Sequence, residues 1–282
     1  MGCKAPIGVI TMIGKKTDGE TIYQKRKGLI LQQIAERIKR EKDWLCVGIY
    51  GDPKTCKTSL ALDSVTDDCK VCILDFDKGA ERTWRAAYDC NPNIEIFEPM
   101  VFDDYNNELL NETEEMAETY IRLIDERIKS GEQIKFVFDG LDKWIQLCFN
   151  IMTAGKKEYE VRHPPIMWGK RNKKYNDLLD KCINLKCDRF FITHMKDKYE
   201  GINNPLPVGT TPDWHRTTPG KLSQLIHMRK DNTLNGTQYT AEIINSPNKP
   251  KLVGKKYTVL TISKDNNEVK WSGIPELRDG SL

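Results

Sequence analysis

An α/β fold with a mainly parallel sheet and helices on both faces is what this sequence predicts. Three observations carry the prediction. Residues Leu45 to Leu62 read LCVGIYGDPKTCKTSLAL: an apolar run, a glycine-led polar loop, then a helix-compatible stretch. Three later runs, beginning at Val71, Ile134 and Arg189, read as buried strands, and the first is continuously apolar rather than alternating, as strands buried on both faces of a parallel sheet are. Segments long enough for helices separate these runs, which is the alternation that builds parallel strands.

At 282 residues the chain can hold one large α/β domain or a core with an appendage. Charged residues make up 30% and nearly balance at +3, so any nucleic-acid role must come from local patches. Nine cysteines without regular spacing point to a reducing interior, not a disulfide scaffold. Cys69-x-x-Cys72 is not read as half a zinc site, because Cys72 falls inside an apolar strand and no second pair is suitably spaced. No run approaches the roughly 18 apolar residues of a membrane span, and the first residues lack the apolar core of a secretory signal. Met1-Gly2-Cys3 invites acylation, but Pro6 stands where a myristoylation signal has Ser or Thr. No membrane partner is expected, and the expected location is cytoplasmic.

In chain order, residues 1–18 read as an arm or edge strand. Residues 21–42 form an amphipathic helix with Leu29, Leu31, Ile34 and Ile38 at helical spacing. After the first strand, loop and helix, Val71–Asp77 is a strand closing on Asp75 and Asp77. Residues 78–90 are read as helical, Ile94–Phe97 as a short strand, and the acidic stretch 103–118 as the solvated start of a helix reaching Ile128. Ser130-Gly131 stops that helix. Ile134–Phe138 is the third buried strand, ending in Asp139-Gly140, and a helix follows to about Met152. Between Thr153 and Lys174 basic residues (Lys156, Lys157, Arg162, Lys170, Arg171, Lys173, Lys174) far outnumber Glu158 and Glu160, with His163 and Trp168 interleaved. Such a run is either a solvated face or a surface for phosphates and stacked bases of a single strand. A helix over 172–185 leads to the fourth strand, ending at His194. Residues 196–221, carrying Trp214, His215 and Arg216, read as a long loop, and a loop of that length is uncommon unless functional. Segments 222–229, 238–244 and 256–262 read as β-strands.

The loop at the head of the chain carries the chemistry. Gly51, Asp52, Pro53, Lys54, Thr55, Cys56, Lys57, Thr58 and Ser59 follow the GxxxxGK[ST] pattern of a phosphate-binding P-loop, with Cys56 in place of the second glycine. The loop amides and helix N-terminus hold phosphate, Lys57 reaches the β- and γ-phosphates, and Thr58 ligates Mg²⁺. Asp139, closing an apolar strand downstream, has the place of the second nucleotide motif and holds the metal shell. Cys56 brings a Cβ where glycine tolerates a left-handed backbone. Its thiol, at a helix N-terminus beside Lys57, is expected to be reactive.

With these motifs in order, the chain resembles a RecA-like P-loop ATPase, in particular the phage and archaeal-virus nucleotide-binding and single-strand-annealing type. The likeness covers residues 43–245, flanked by an arm and helix at 1–42 and a C-terminal β extension at 246–282. It implies strand order 5-1-4-3-2 with small C-terminal β elements. It implies a catalytic carboxylate at the end of the second strand, here Asp77, one methylene shorter than the usual Glu, and a γ-phosphate sensor at His194. It also implies DNA-binding loops at 153–174 and 197–220, where Trp214 and Arg216 lie, and a basic finger across a subunit interface at Arg229-Lys230. The implied function is Mg²⁺-ATP hydrolysis coupled to single-stranded DNA binding in recombination or replication. The implied assembly is a homo-oligomeric ring or filament, in the host cytoplasm for a virus. Two alternatives remain open: a non-catalytic nucleotide-gated DNA binder, or a small-molecule kinase with 196–221 as its lid.

Overall fold

β1 (Cys46–Gly51), β4 (Ile134–Asp139) and β5 (Asp188–Thr193) are buried at every position, so each needs a strand on both edges and cover on both faces. The computed structural model supplies both. It describes residues 23, 24, 26–32, 44–104, 108–153, 165–200, 206–278 and 280–282. The chain divides into two units, Met1–Asp43 and Trp44–Leu282. In the first, residues 23, 24 and 26–32 are helical, and the rest of the expected amphipathic helix lies outside the described residues.

The second unit adds β2 (Lys70–Asp75), β3 (Ile94–Phe97), β8 (Gln224–Thr233), β9 (Gly236–Asn245), β10 (Lys256–Ser263) and β11 (Val269–Trp271). With these a nine-stranded sheet runs β11-β10-β9-β8-β1-β5-β4-β2-β3. From β8 through β3 all neighbours are parallel; from β8 to β11 they are antiparallel. Numbering only the five expected parallel strands, the order reads 5-1-4-3-2, with Ile94–Phe97 appended outside the second. β10 and β11, beyond residue 246, extend this same sheet.

Alternate side chains of each central strand feed two cores. On one face Tyr50, Leu74, Phe138 and Phe191 pack against Ile121, Trp144, Tyr175 and Leu179. These come from the helices Leu110–Lys129, Leu141–Thr153 and Pro165–Ile183. On the other face Val47, Ile49, Ile73, Val137 and Phe190 meet Leu60, Leu62, Ala80 and Ile274. Burying each such side chain contributes about 1.5–3 kcal/mol, which drives the layering.

Two expectations are corrected. Residues 196–221 are not a bare loop: β6 (Met195–Glu200) and β7 (Leu206–Pro212) pair antiparallel as a separate hairpin, and a 3₁₀ turn spans Thr218–Lys221. Most of the hairpin is exposed on both faces, so no apolar alternation marks it in the sequence. The basic residues 170–174 sit on a helix that begins at Pro165, not on a loop, because proline suits a first turn.

The parallel strands end together, so Gly51, Asp75, Asp139 and Thr193 share one edge of the sheet, where α/β folds place their ligands. Gly51 is sterically obligatory there, since a Cβ would collide with the carbonyl oxygen of Met228 on β8. Gly51→Ala should therefore cost about 1–3 kcal/mol in a denaturant titration, as overpacking does. Gly169, in a helix with open space around it, should show the opposite sign, Gly169→Ala gaining about 0.5–1 kcal/mol.

Candidate functional site

Strand β1 delivers the loop at its C-terminal end, and the helix Lys57–Leu62 begins directly after it. Cys56 adopts the left-handed conformation (φ 61°, ψ 26°) that the pattern's glycine favours, and Lys54 is also left-handed (φ 62°). The loop is held in that shape from within. Thr55 Oγ1 donates to the Asp52 carbonyl at 2.8 Å, and Lys57 Nζ donates to the carbonyls of Gly51 and Asp52 at 3.0 and 2.8 Å. Burial draws the Lys57 ammonium pKa down, opposed by the carboxylates of Asp139, Asp142, Asp77 and Asp52. Four acids converging on one buried lysine mark this as the charged centre of the molecule.

Thr58 Oγ1 donates to Asp139 Oδ2 at 2.6 Å. Burial, reinforced by Asp75, pushes the Asp139 carboxyl up to about 7, although the Thr58 hydroxyl opposes the shift. The two oxygens suit a hard cation, which commonly takes one or two protein oxygens and completes its shell with phosphate and water. Among the described residues no cluster of three or more His, Cys, Asp or Glu could hold a metal unaided.

The two acids closing β2 have different fates. Asp75 is fully buried and accepts the backbone N–H groups of Asp77 and Ala80 at 3.1 and 2.8 Å, fixing the turn into the helix Ala80–Ala87. Asp77 instead faces Lys143 Nζ at 3.9 Å and His194 Nε2 at 3.8 Å. Gly140, directly after Asp139, has φ +97°, and a Cβ there would press on Phe76 and the Asp77 amide. Of the two acids closing β2, Asp77 keeps the more open carboxyl, 30% exposed where Asp75 is fully buried.

Asp142 and Lys143, in the first turn of the helix after β4, were missed in the sequence. Asp142 Oδ2 lies 3.1 Å from His194 Nδ1, and its side chain is only 11% exposed. Burial disfavours its charge, but the hydrogen bond and charge of His194 outweigh that and hold the carboxyl below its ordinary value. The available signal was the spacing Asp139-Gly-Leu-Asp142, which puts a second acid one turn beyond the strand end.

The remaining predicted residues divide. Lys156, Lys157 and Arg162 lie outside the described residues. Lys170, Lys173 and Arg216 are exposed, whereas Lys174 is paired with Glu114. Arg171 lies over the Trp168 ring, 4.6 Å from its centroid. Trp168, Arg171, Lys196, His215 and Arg216 line a cleft of about 630 Å³. Trp214 is corrected from stacking platform to core residue: it is 7% exposed and meets the Tyr50 ring edge-on at 5.9 Å. Arg229 is engaged with Glu242 at 3.5 Å and with His227, and Lys230 acts on Cys56 of its own chain. The Cys56 thiol is also corrected. Burial raises its pKa, and the opposing pull of Lys230 and Lys57 is smaller, so it is not an activated thiolate.

No family model matches this chain, and no curated protein does. Among solved structures it is similar to a KaiC-like protein from the hyperthermophilic archaeon Pyrococcus horikoshii OT3, at 12% identity and a TM-score of 0.42, over 80% of this chain and 88% of that one. Similarity at that level carries nothing about activity, which must be read from the geometry above.

That geometry sets two expectations for stability. Cys56→Gly should relieve a left-handed backbone that costs roughly 1–2 kcal/mol with a Cβ, raising the unfolding midpoint accordingly. Asp139 has a folded pKa near 7 against 3.8 unperturbed, so between those values the native state binds more protons than the unfolded one. Stability therefore falls as pH rises through that window, and the whole penalty is present above it. Asp139→Asn should stabilise the ligand-free protein by on the order of a few kcal/mol at pH 8, with the gain shrinking toward pH 4 in parallel denaturant titrations.

Proposed function

We propose that this chain binds ATP at the loop Gly51–Ser59 and hydrolyses its γ-phosphoryl bond, with turnover coupled to single-stranded DNA binding in recombination or replication. The observation that carries the reading is the 2.6 Å contact of Thr58 with Asp139 beside a left-handed loop whose lysine is gathered among four acids. Thr58 and Asp139 are the residues that would hold Mg²⁺, which supplies charge neutralisation to the phosphates when bound. Lys57 exchanges its two carbonyl partners for phosphate oxygens, and the N-terminal amides of the helix Lys57–Leu62 add donors. Asp77 orients the attacking water, and His194 stands at the adjacent strand end. Phosphoryl transfer asks for positioning and electrostatics above all, and these are what the residues provide.

The DNA half of the proposal is supported by the cleft between the helix Pro165–Ile183 and the segment after β7. Trp168 with Arg171 over its ring offers a stacking surface, and Lys170, Lys173 and Arg216 offer exposed charge for phosphates. A homo-oligomer remains part of the proposal, with Lys230 the member of the basic pair not engaged by Glu242.

Purified protein tests both halves. Lys57→Ala should abolish steady-state ATP hydrolysis, because it removes a multi-kcal/mol electrostatic contribution to the transition state. Unchanged hydrolysis would mean the loop is not the site. Retained ATP binding without turnover in the native protein would favour the nucleotide-gated binder instead. Neutralising Lys170, Lys173 and Arg216 together should weaken single-strand binding and lower the slope of log K against log salt by about 0.7 for each phosphate no longer neutralised. Wild-type affinity and slope in that variant would leave this surface with no role in DNA binding.

A further inference from the structure

We propose that Asp142 is a positioning residue for hydrolysis, acting through His194 on Asp77. The inference rests on the ATPase reading and goes beyond it, since His194 then serves the attacking water and not the phosphate alone.

The geometry is a chain of three side chains drawn from three elements. Asp142 stands in the first turn of the helix Leu141–Thr153, His194 directly after β5, and Asp77 two residues after β2. An ionised carboxylate can only accept, so the 3.1 Å contact with Asp142 Oδ2 requires the proton on His194 Nδ1. In its neutral form the ring presents its Nε2 lone pair toward Asp77 Oδ2, 3.8 Å away. The backbone fixes the ring's base independently. Asp213 N–H donates to the His194 carbonyl at 2.8 Å, and Thr193 Oγ1 donates to the Asp213 carbonyl at 2.7 Å. Other charged groups nearby are Lys143, 3.9 Å from the second Asp77 oxygen, Lys196, paired with Asp213 at 2.7 Å, and Lys57, Asp75 and Asp139, whose charges also act on this cluster.

The arrangement answers the missing methylene of Asp77. A short carboxylate that takes a proton from water gains from a neighbour that can relieve it. As the water oxygen bonds to the γ-phosphorus, the bond to the bridging oxygen breaks, its electron pair leaving on ADP, and the water proton passes to Asp77. From there it passes to His194 Nε2 through one bridging water, since 3.8 Å is too long for direct transfer, leaving an imidazolium whose charge faces Asp142. No oxidant or further reactant is needed. The logic of a buried carboxylate that sets an imidazole's tautomer and stabilises its cation is general, and replacing the acid by its amide can cost up to about 10⁴ in turnover by presenting the wrong tautomer.

A two-by-two set of full-length variants tests this: wild type, Asp142→Asn, His194→Gln and the double variant. Each is assayed for ATP turnover with single-stranded DNA present and for equilibrium binding of a fluorescent ADP. Asp142→Asn should lower kcat at least tenfold while KM and the ADP Kd stay within twofold, and Asp142→Glu should recover part of the rate. In the His194→Gln background the same change should cost less than twofold, because the group it acts through is gone. Nitrogen-15 spectra of the neutral ring should show His194 as the Nδ1–H tautomer in wild type and lose that state in Asp142→Asn. Equal losses in both backgrounds, or a silent Asp142→Asn in an active wild type, overturn the inference and leave the ATPase reading standing. A wild type with no Lys57-dependent turnover overturns that reading, and the inference with it.

Discussion

The hydrogen bond from Thr58 to Asp139 ties the first turn of the Lys57–Leu62 helix to the end of a strand that is not its neighbour. β5 lies between β1 and β4, so the contact bridges a whole strand width across the edge where the sheet ends. A carboxylate as buried as Asp139 is costly without a donor, and this hydroxyl is the donor it has. The parallel register of β4 with β2 and β5 brings their ends to the same edge, and this contact sets the start of the helix beside them, with Lys57 turned back into the loop.

Asp75, Asp77, Asp139 and Asp142, four of the acids at that edge, show how environment separates chemically similar groups. Asp75 gives both oxygens to backbone amides and becomes part of the turn. Asp139 is buried among like charges and driven toward neutrality. Asp142 is buried too, yet its imidazole partner keeps it charged. Asp77 is the one 30% exposed, with a cation beside one oxygen and an imidazole beside the other. A dication placed beside Thr58 and Asp139 would relieve the repulsion among these carboxylates.

What could be read from the sequence was whatever is fixed locally. Continuous apolar runs announce doubly covered strands, and the loop pattern announces its own backbone, so β1, β2, β4, β5 and the residues 51–59 were legible. Tertiary facts were not. Trp214 lies in a polar stretch, and only its packing on Tyr50 makes it core. The hairpin β6–β7 buries little, so its pairing leaves no periodic trace. Lys174 reads as a surface charge until the helix Leu110–Lys129 brings Glu114 to it. Asp142 was hidden for another reason. Its spacing from Asp139 was visible, but its partner is 52 residues away, and the pair exists only because β4 and β5 are neighbours.

Cys56 and Gly140 make the same point about backbone in opposite ways. Both positions have positive φ, but Gly140 sits against Phe76 and the Asp77 amide, where a side chain has no room. Cys56 has room, since its side chain is only half-buried and packs at the margin of the core beneath the loop. Its penalty is therefore conformational alone, about 1–2 kcal/mol. Such strain persists when the surroundings over-determine the conformation. Here they do: Lys57 grips Gly51 and Asp52, Thr55 grips Asp52, and Leu60 N–H bonds the Cys56 carbonyl at 3.0 Å. The loop keeps its left-handed turn because its hydrogen bonds hold it, and the residue at position 56 only has to comply.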